Sequence, residues 1–317
     1  MNFFAKKSIL ITGGTGSIGS RIANYLIKNS KANKVVIFSR DEQKHFEMQK
    51  RMNNPRVRYL IGDVRDRNRL DLALKNIDLV FHAAAQKHVG ISEYNPQECI
   101  KTNIYGTQNV IESCIYNRVK KFLLISTDKA VNPINLYGAS KLVAEKITLN
   151  ANNLSTKNGC WFAVARYGNV IGSKGSVIPF FLKLMDEKKK IPLTDKKMTR
   201  FWISYDQAVR FVLNTMEKAK PGDIFVPKIK SLKIIDLINL LSSKSKIKII
   251  GVKPGEKIHE ELLTNEETLK VKEYGDYYLF NNIFKKNKKS FEYRSDKYLM
   301  KKSDEKKLYN SIVKTFL

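Results

Sequence analysis

The sequence predicts an α/β protein, a doubly wound parallel sheet covered by helices on both faces and followed by a smaller C-terminal α/β domain. Three observations carry this expectation. Short β-branched runs alternate with longer amphipathic stretches, a glycine-rich turn joins the first run to the first stretch, and the rhythm changes near Gly168. Strands are predicted at 8–11, 34–38, 57–61, 79–82, 122–125 and 161–165, each apolar enough for burial on both faces and each followed by Gly, Asp, Ser or Asn. Helices are predicted at 18–28, 41–52, 96–116 and 136–150. Beyond Gly168, loops at 168–172 and 175–179 feed one more helix, and 199–203 reads as a strand. No Pro/Gly/Ser-rich connector divides the halves. Residues 1–168 are therefore expected to form one domain and 169–317 mainly a second, with the chain crossing back into the first around 202–227.

Charge is the most prominent compositional feature: 58 Lys and Arg against 30 Asp and Glu leave +28. Of the 58, 45 are Lys and 13 are Arg. Nucleic-acid surfaces rely on the planar Arg fork, so this excess reads as a solvated lysine-rich surface and no nucleic-acid partner is expected. A hydrophobic content of 43% excludes disorder. Cys99, Cys114 and Cys160 are odd in number and lack metal spacing, so neither a disulfide framework nor a metal site is expected. The first residues carry no cleavage signal, and no run approaches the ~18 apolar residues of a membrane span. A cytoplasmic protein that neither spans nor binds a membrane is the expectation.

The turn Gly13-Gly14-Thr15-Gly16-Ser17-Ile18-Gly19 follows the first strand and opens the first helix. This is the context of a Rossmann dinucleotide fingerprint: glycines permit close approach of the backbone to a pyrophosphate, and the helix N-terminus offers unpaired N–H groups. Residues 1–168 then become a nucleotide-binding domain. At the end of the second strand, where an NAD site carries an acid, stand Ser39 and Arg40. A hydroxyl and a guanidinium suit the 2′-phosphate of NADP, with Lys44 nearby, whereas Asp41 leaves NAD as the alternative. Asp63 and Val64 after the third strand, and Ala83 and Ala85 after the fourth, are expected along adenine and ribose.

Tyr137 and Lys141 are four apart, so one helix presents both on the same face. An ammonium beside a phenol favours phenolate, a usable base for a sugar hydroxyl. Ser126 and Thr127 close the preceding strand, and Asp128-Lys129 follows at once, an acid beside a base.

With Ala85-Gln86-Lys87-His88-Val89, Glu93-Tyr94-Asn95-Pro96, Arg166-Tyr167-Gly168-Asn169, Gly175-Ser176-Val177-Ile178-Pro179, Met198-Thr199-Arg200-Phe201-Trp202 and Pro254-Gly255-Glu256-Lys257, the chain resembles the extended short-chain dehydrogenase/reductases. Within them it is similar to the inverting UDP-N-acetylglucosamine 4,6-dehydratases of pseudaminic acid biosynthesis, over residues 8–263. The resemblance implies that Tyr137, tuned by Lys141 and bonded through Thr127, takes the C4 hydroxyl proton while hydride passes to NADP. It implies that Lys129, neutralised by burial or by Lys141, removes the C5 proton while Asp128 protonates the departing C6 hydroxyl. It further implies hydride return to C6, reprotonation of C5 from the opposite face, and a homo-oligomer, a hexamer being one form. Lys87, Asn169, Lys174, Val177, Arg200 and Lys253 are implied to hold UDP-N-acetylglucosamine. Lys174 and Lys253 stand where Arg is usual, which removes two bidentate forks. The alternatives are a UDP-hexosamine epimerase, a retaining 4,6-dehydratase, or a silent NADP-binding regulator.

Overall fold

Six parallel strands form the heart of a nine-stranded sheet in the computed structural model, which describes residues 2–156, 159–173 and 175–316. They are β1 (Ser8–Thr12), β2 (Lys34–Ser39), β3 (Val57–Ile61), β4 (Leu79–His82), β5 (Lys121–Thr127) and β6 (Trp161–Tyr167). Their spatial order is β3-β2-β1-β4-β5-β6, so the order reverses between β1 and β4. In such a sheet ligands bind at that reversal, beyond the carboxyl ends of the strands. There the chain places Thr12, His82 and Thr127. The reversal is bonded internally: Thr12 Oγ1 lies 2.7 Å from His82 Nδ1, and His82 Nε2 lies 3.0 Å from Thr107 Oγ1.

β1, β2, β4, β5 and β6 are buried over nearly their whole length, as a sheet covered on both faces requires, whereas the edge strand β3 is buried only at Val57. Past β6 the strand Ile224–Pro227 adds in parallel, and Tyr277–Phe280 and Val271–Glu273 continue antiparallel. A second, smaller core gathers Ile178, Phe181, Leu237, Ile238, Leu308 and Ile312. Beside it Ser231–Lys233, Thr199–Ile203 and Asn169–Val170 form a three-stranded sheet.

Three predicted segments differ from the structure. The helix expected at 96–116 is broken into Pro96–Ile100, a π-turn Lys101–Tyr105 and Gly106–Tyr116. The cause lies in Asn103, whose amide donates to Gln86 O and Ser140 Oγ at 2.9 Å each, and such turns recur at functional sites. The loop expected at 168–172 contains Asn169–Val170, paired with Trp202 and Ile203. The lysine-rich tail is more than solvated surface, because helix Lys302–Phe316 buries Leu308 and Ile312 while its lysines stay outside.

Arg166, at the end of β6, is the largest side chain buried this completely, at 1% exposure. It donates to Glu145 at 2.6 and 3.0 Å, to Glu267 at 2.8 and 2.9 Å, and to Leu262 O at 3.0 Å. Glu145 lies on helix Leu136–Leu154 and Glu267 on the turn Asn265–Thr268, so one guanidinium ties three segments together. Removing one partner from a buried cluster leaves charges without compensation. Arg166→Met is expected to cost about 3–5 kcal/mol in denaturant unfolding; a loss under about 1 kcal/mol, the range of an exposed pair, would contradict this.

Candidate active site

The glycine turn is shaped by contact with the loop after β4. Gly13 has φ +62°, and a Cβ there would lie 2.8 Å from Ala84 Cα. Gly16 caps helix Ser17–Asn29 without a side-chain acceptor, so no side chain of its own covers the first-turn N–H groups. Gly13, Gly16, Ser17 and Ile18, with Ala83 and Ala85, line one end of a cavity of about 680 Å³. These residues fit a dinucleotide, since the crowded turn leaves its backbone open to a pyrophosphate.

The adenosine-side residues flank the turn outside this lining. Ser39 Oγ lies 2.7 Å from Thr15 Oγ1. Asp41 is the N-cap of helix Glu42–Arg51: it accepts from Lys44 N at 2.9 Å and pairs with the Lys44 ammonium. Arg40 is half-exposed and lies 3.5 Å from Asp63. Burial alone would raise the Asp63 carboxyl, but Arg65 and Arg40 hold it below its ordinary value. Val64 is buried and faces Gly106.

The catalytic candidates Thr127, Lys129, Tyr137 and Lys141 line the cavity too, and Asp128 lies fully buried behind Lys129, outside the wall. Asp128–Ala130 forms a 3₁₀ turn directly after β5, and Thr127 Oγ1 donates to Asp128 Oδ1 at 3.0 Å. Helix Leu136–Leu154 begins at the cap Asn135, which accepts from Gly138 N at 2.8 Å. A Cβ at Gly138 would collide with Lys129 O, so glycine is what lets Tyr137 approach the Asp128–Lys129 turn. Thr127, Lys129, Tyr137, Lys141, Asn169, Val177, Arg200 and Lys87 all line the cavity. Ser126 lines it too, but its hydroxyl donates to Glu145 at 2.5 Å. Lys253 is exposed and is not part of the wall, and Lys174 lies outside the described residues.

Lys129 is the hub of the charges. Its Nζ lies 3.1 Å from Asp128 Oδ1, 3.2 Å from Glu260 Oε1 and 3.4 Å from Asn169 Oδ1. Asp128 is fully buried, whereas Lys129 remains 22% exposed toward the cavity. Glu260, absent from the sequence reading, also lines the cavity, with Arg200 Nε at 3.7 Å and Lys257 Nζ at 4.0 Å. The signal was present, three residues past the Pro254-Gly255-Glu256-Lys257 motif. The Arg200 guanidinium donates to Thr199 O at 2.7 Å and Lys257 O at 2.9 Å.

Two expectations about protonation are corrected. Burial does push the Lys129 ammonium toward losing its proton, but Asp128 and Glu260 outweigh it and move the group upward. Nor is Lys141 the charge that tunes Tyr137. Its Nζ donates to Ile125 O at 2.8 Å, and burial lowers it to about 8. Burial raises Tyr137 to about 12, opposed by the Lys129 charge and a hydrogen bond shared with Thr127. Asp128 is raised by burial, chiefly opposed by the charge of Lys129.

Lys141 has a consequence for stability. With about 8 in the folded chain against an ordinary 10.5, it binds more proton when unfolded, so its contribution to stability rises with pH across that window. Lys141→Met is expected to flatten the rise in unfolding free energy above about pH 8 relative to the parent; parallel curves would refute the assignment.

Comparison with known proteins now bears on this geometry. Residues 9–282 match the family described as polysaccharide biosynthesis protein. An inverting UDP-N-acetylglucosamine 4,6-dehydratase from Campylobacter jejuni is 52% identical over 89% of this chain and 85% of its own length. A Rickettsia bellii UDP-glucose 4-epimerase is 43% identical over 87% and 83%. Among solved structures, Pen from Bacillus thuringiensis superposes with a TM-score of 0.91 at 40% identity, covering 98% of this chain and 99% of that one. A Bacillus cereus UDP-glucuronic acid 4-epimerase, solved with UDP-glucuronic acid and NAD, reaches a TM-score of 0.72 at 25% identity, over 79% and 88%. Among the described residues, no helix is long and apolar enough to cross a membrane. The chain belongs to the polysaccharide biosynthesis protein family, and an inverting UDP-N-acetylglucosamine 4,6-dehydratase is among its relatives at 52% identity.

Proposed function

We propose that the protein is an NADP-dependent inverting UDP-N-acetylglucosamine 4,6-dehydratase. The observation that carries this reading is the Asp128–Lys129 pair beside Tyr137: a fully buried acid and a base facing the cavity, joined by one hydrogen bond at 3.1 Å. An epimerase acting at C4 alone has no use for such a pair. The relatives named above support the substrate class.

The order of events follows from acidity. A hexose C5–H is not acidic until C4 is a carbonyl, which also makes the C6 hydroxyl a β leaving group, so oxidation comes first. The dinucleotide, held by Gly13, Thr15, Gly16, Ser17, Ile18 and Gly19, supplies hydride acceptance and return when bound. Tyr137 takes the C4 hydroxyl proton, drawn toward phenolate by the Lys129 charge and Thr127. One proton moved from Lys129 Nζ to Asp128 Oδ1 then converts the ion pair into a neutral amine and a neutral acid. Lys129 removes the C5 proton while Asp128 protonates the C6 oxygen. Tyr137 returns a proton to the opposite face of C5, which inverts that centre. Lys87, Asn169, Val177 and Arg200, all in the cavity wall, support a site for the sugar and pyrophosphate.

Arg40 and Ser39 support NADP over NAD, because the carboxylate of Asp41 is engaged as a helix cap. The exposed apolar side chains Ile91, Tyr94 and Ile134 support a homo-oligomer.

Purified protein given UDP-N-acetylglucosamine without external reductant is expected to yield a product lighter by one water with an L-configured C5 by NMR. Unchanged mass with a new C4 epimer would establish the epimerase instead. Arg40→Ala is expected to weaken NADP binding by about 10–100-fold, the worth of a charge-assisted bond, while leaving NAD affinity in place; equal losses for both would contradict the NADP assignment.

A further inference from the structure

The Lys129 ammonium has three N–H bonds and three acceptors within 3.4 Å: Asp128 Oδ1, Glu260 Oε1 and Asn169 Oδ1. Asp128 and Asn169 were expected at the site, but Glu260 was not. Its side chain is 3% exposed, and Oε2 has no hydrogen-bond partner among the described residues. Its backbone N–H donates to Ser295 Oγ at 2.9 Å, and that serine lies 2.6 Å from Thr199 Oγ1, so the segment is anchored beside Arg200. We propose that Glu260 is the positioning residue for Lys129, holding Nζ at the cavity wall while the proton of the pair moves to Asp128. The inference rests on the dehydratase reading above.

The Lys129 N–H bond toward Asp128 breaks, the proton goes to the carboxylate, and the electron pair stays on Nζ. Glu260 Oε1 and Asn169 Oδ1 accept the two N–H bonds that remain, which keeps Nζ at the cavity wall. That pair takes the C5 proton, and the C5–H electrons become the C5–C6 π bond. The C6–O electrons leave with oxygen, which takes the Asp128 proton and departs as water. The ammonium and the carboxylate are thereby restored.

Glu260 also sets where the pair titrates. The charged and titratable groups facing Lys129 are Asp128, Glu260, Arg200, Lys257 and Tyr137. Burial alone would raise Glu260, but Lys129, Arg200 and Lys257 hold it below its ordinary value, so it remains an anion. Its charge favours the protonated forms of both Asp128 and Lys129. The two limbs of the elimination profile therefore belong to the pair, and Glu260 holds both at higher pH.

The test compares the cofactor-loaded full chain with Glu260→Gln, Glu260→Ala and Glu260→Asp, using UDP-N-acetylglucosamine. Glu260→Gln keeps the shape and removes the charge, so both limbs of the pH profile are expected to move to lower pH by about one to three units. Glu260→Ala releases Nζ, so elimination is expected to fall about 100-fold. Cofactor affinity and C4 oxidation should persist, and reduced-nicotinamide absorbance should build up as the stalled ketone accumulates. Glu260→Asp keeps the charge and loses reach: its limbs stay in place while kcat falls, and it carries the test should either other variant fail to fold. Unmoved limbs in Glu260→Gln, undiminished kcat in Glu260→Asp, or oxidation and cofactor affinity lost together with elimination in Glu260→Ala would overturn the role. A parent enzyme that removes no water would overturn the dehydratase reading itself.

Discussion

The site depends on the buried Arg166 guanidinium. Desolvating a cation and two carboxylates is costly unless each donor finds an acceptor, and here the donors are spent on Glu145, Glu267 and Leu262 O. The geometry matters more than the energy. Glu145 lies two turns along the helix that carries Tyr137 and Lys141, and Leu262 lies two residues after Glu260. Helix, strand β6 and the Glu260 segment are thereby held in one register around Lys129.

The interior and the surface handle charge by different rules. Most of the +28 is solvated lysine, as helix Lys302–Phe316 illustrates: its lysines face out while Leu308 and Ile312 close the small core. Inside, each cation is matched. Arg166 meets two acids, Lys129 meets Asp128 and Glu260, and Arg200 is spent on backbone carbonyls beside Glu260. Lys141, which lies against a strand carbonyl, is the buried lysine whose proton is loosened to about 8.

The parallel strands and the phosphate turn were legible because their causes are local: β-branched runs for a two-faced sheet, and glycines where backbone meets backbone, as at Gly13 against Ala84. The Tyr137, Asp128 and Lys129 candidates were legible because a strand end and a helix start lie nine residues apart in the chain. The rest depends on contacts between distant segments. Glu260 reaches Lys129 across 131 positions and, after Asp128, is the second charge that holds its ammonium against burial. The π-turn at Lys101–Tyr105 depends on Asn103 meeting Gln86 and Ser140, which no periodicity encodes. Lys253, read as a pyrophosphate ligand from its neighbours in the motif, is exposed outside the cavity wall.

The central claim is that C5 loses and regains a proton between the oxidation and the return of hydride. It is tested most directly by running the parent enzyme with UDP-N-acetylglucosamine in D₂O and reading C5 of the first-formed product by NMR. The account predicts one deuterium at C5 in the inverted configuration, together with loss of water. A C5 that keeps its original hydrogen would contradict it.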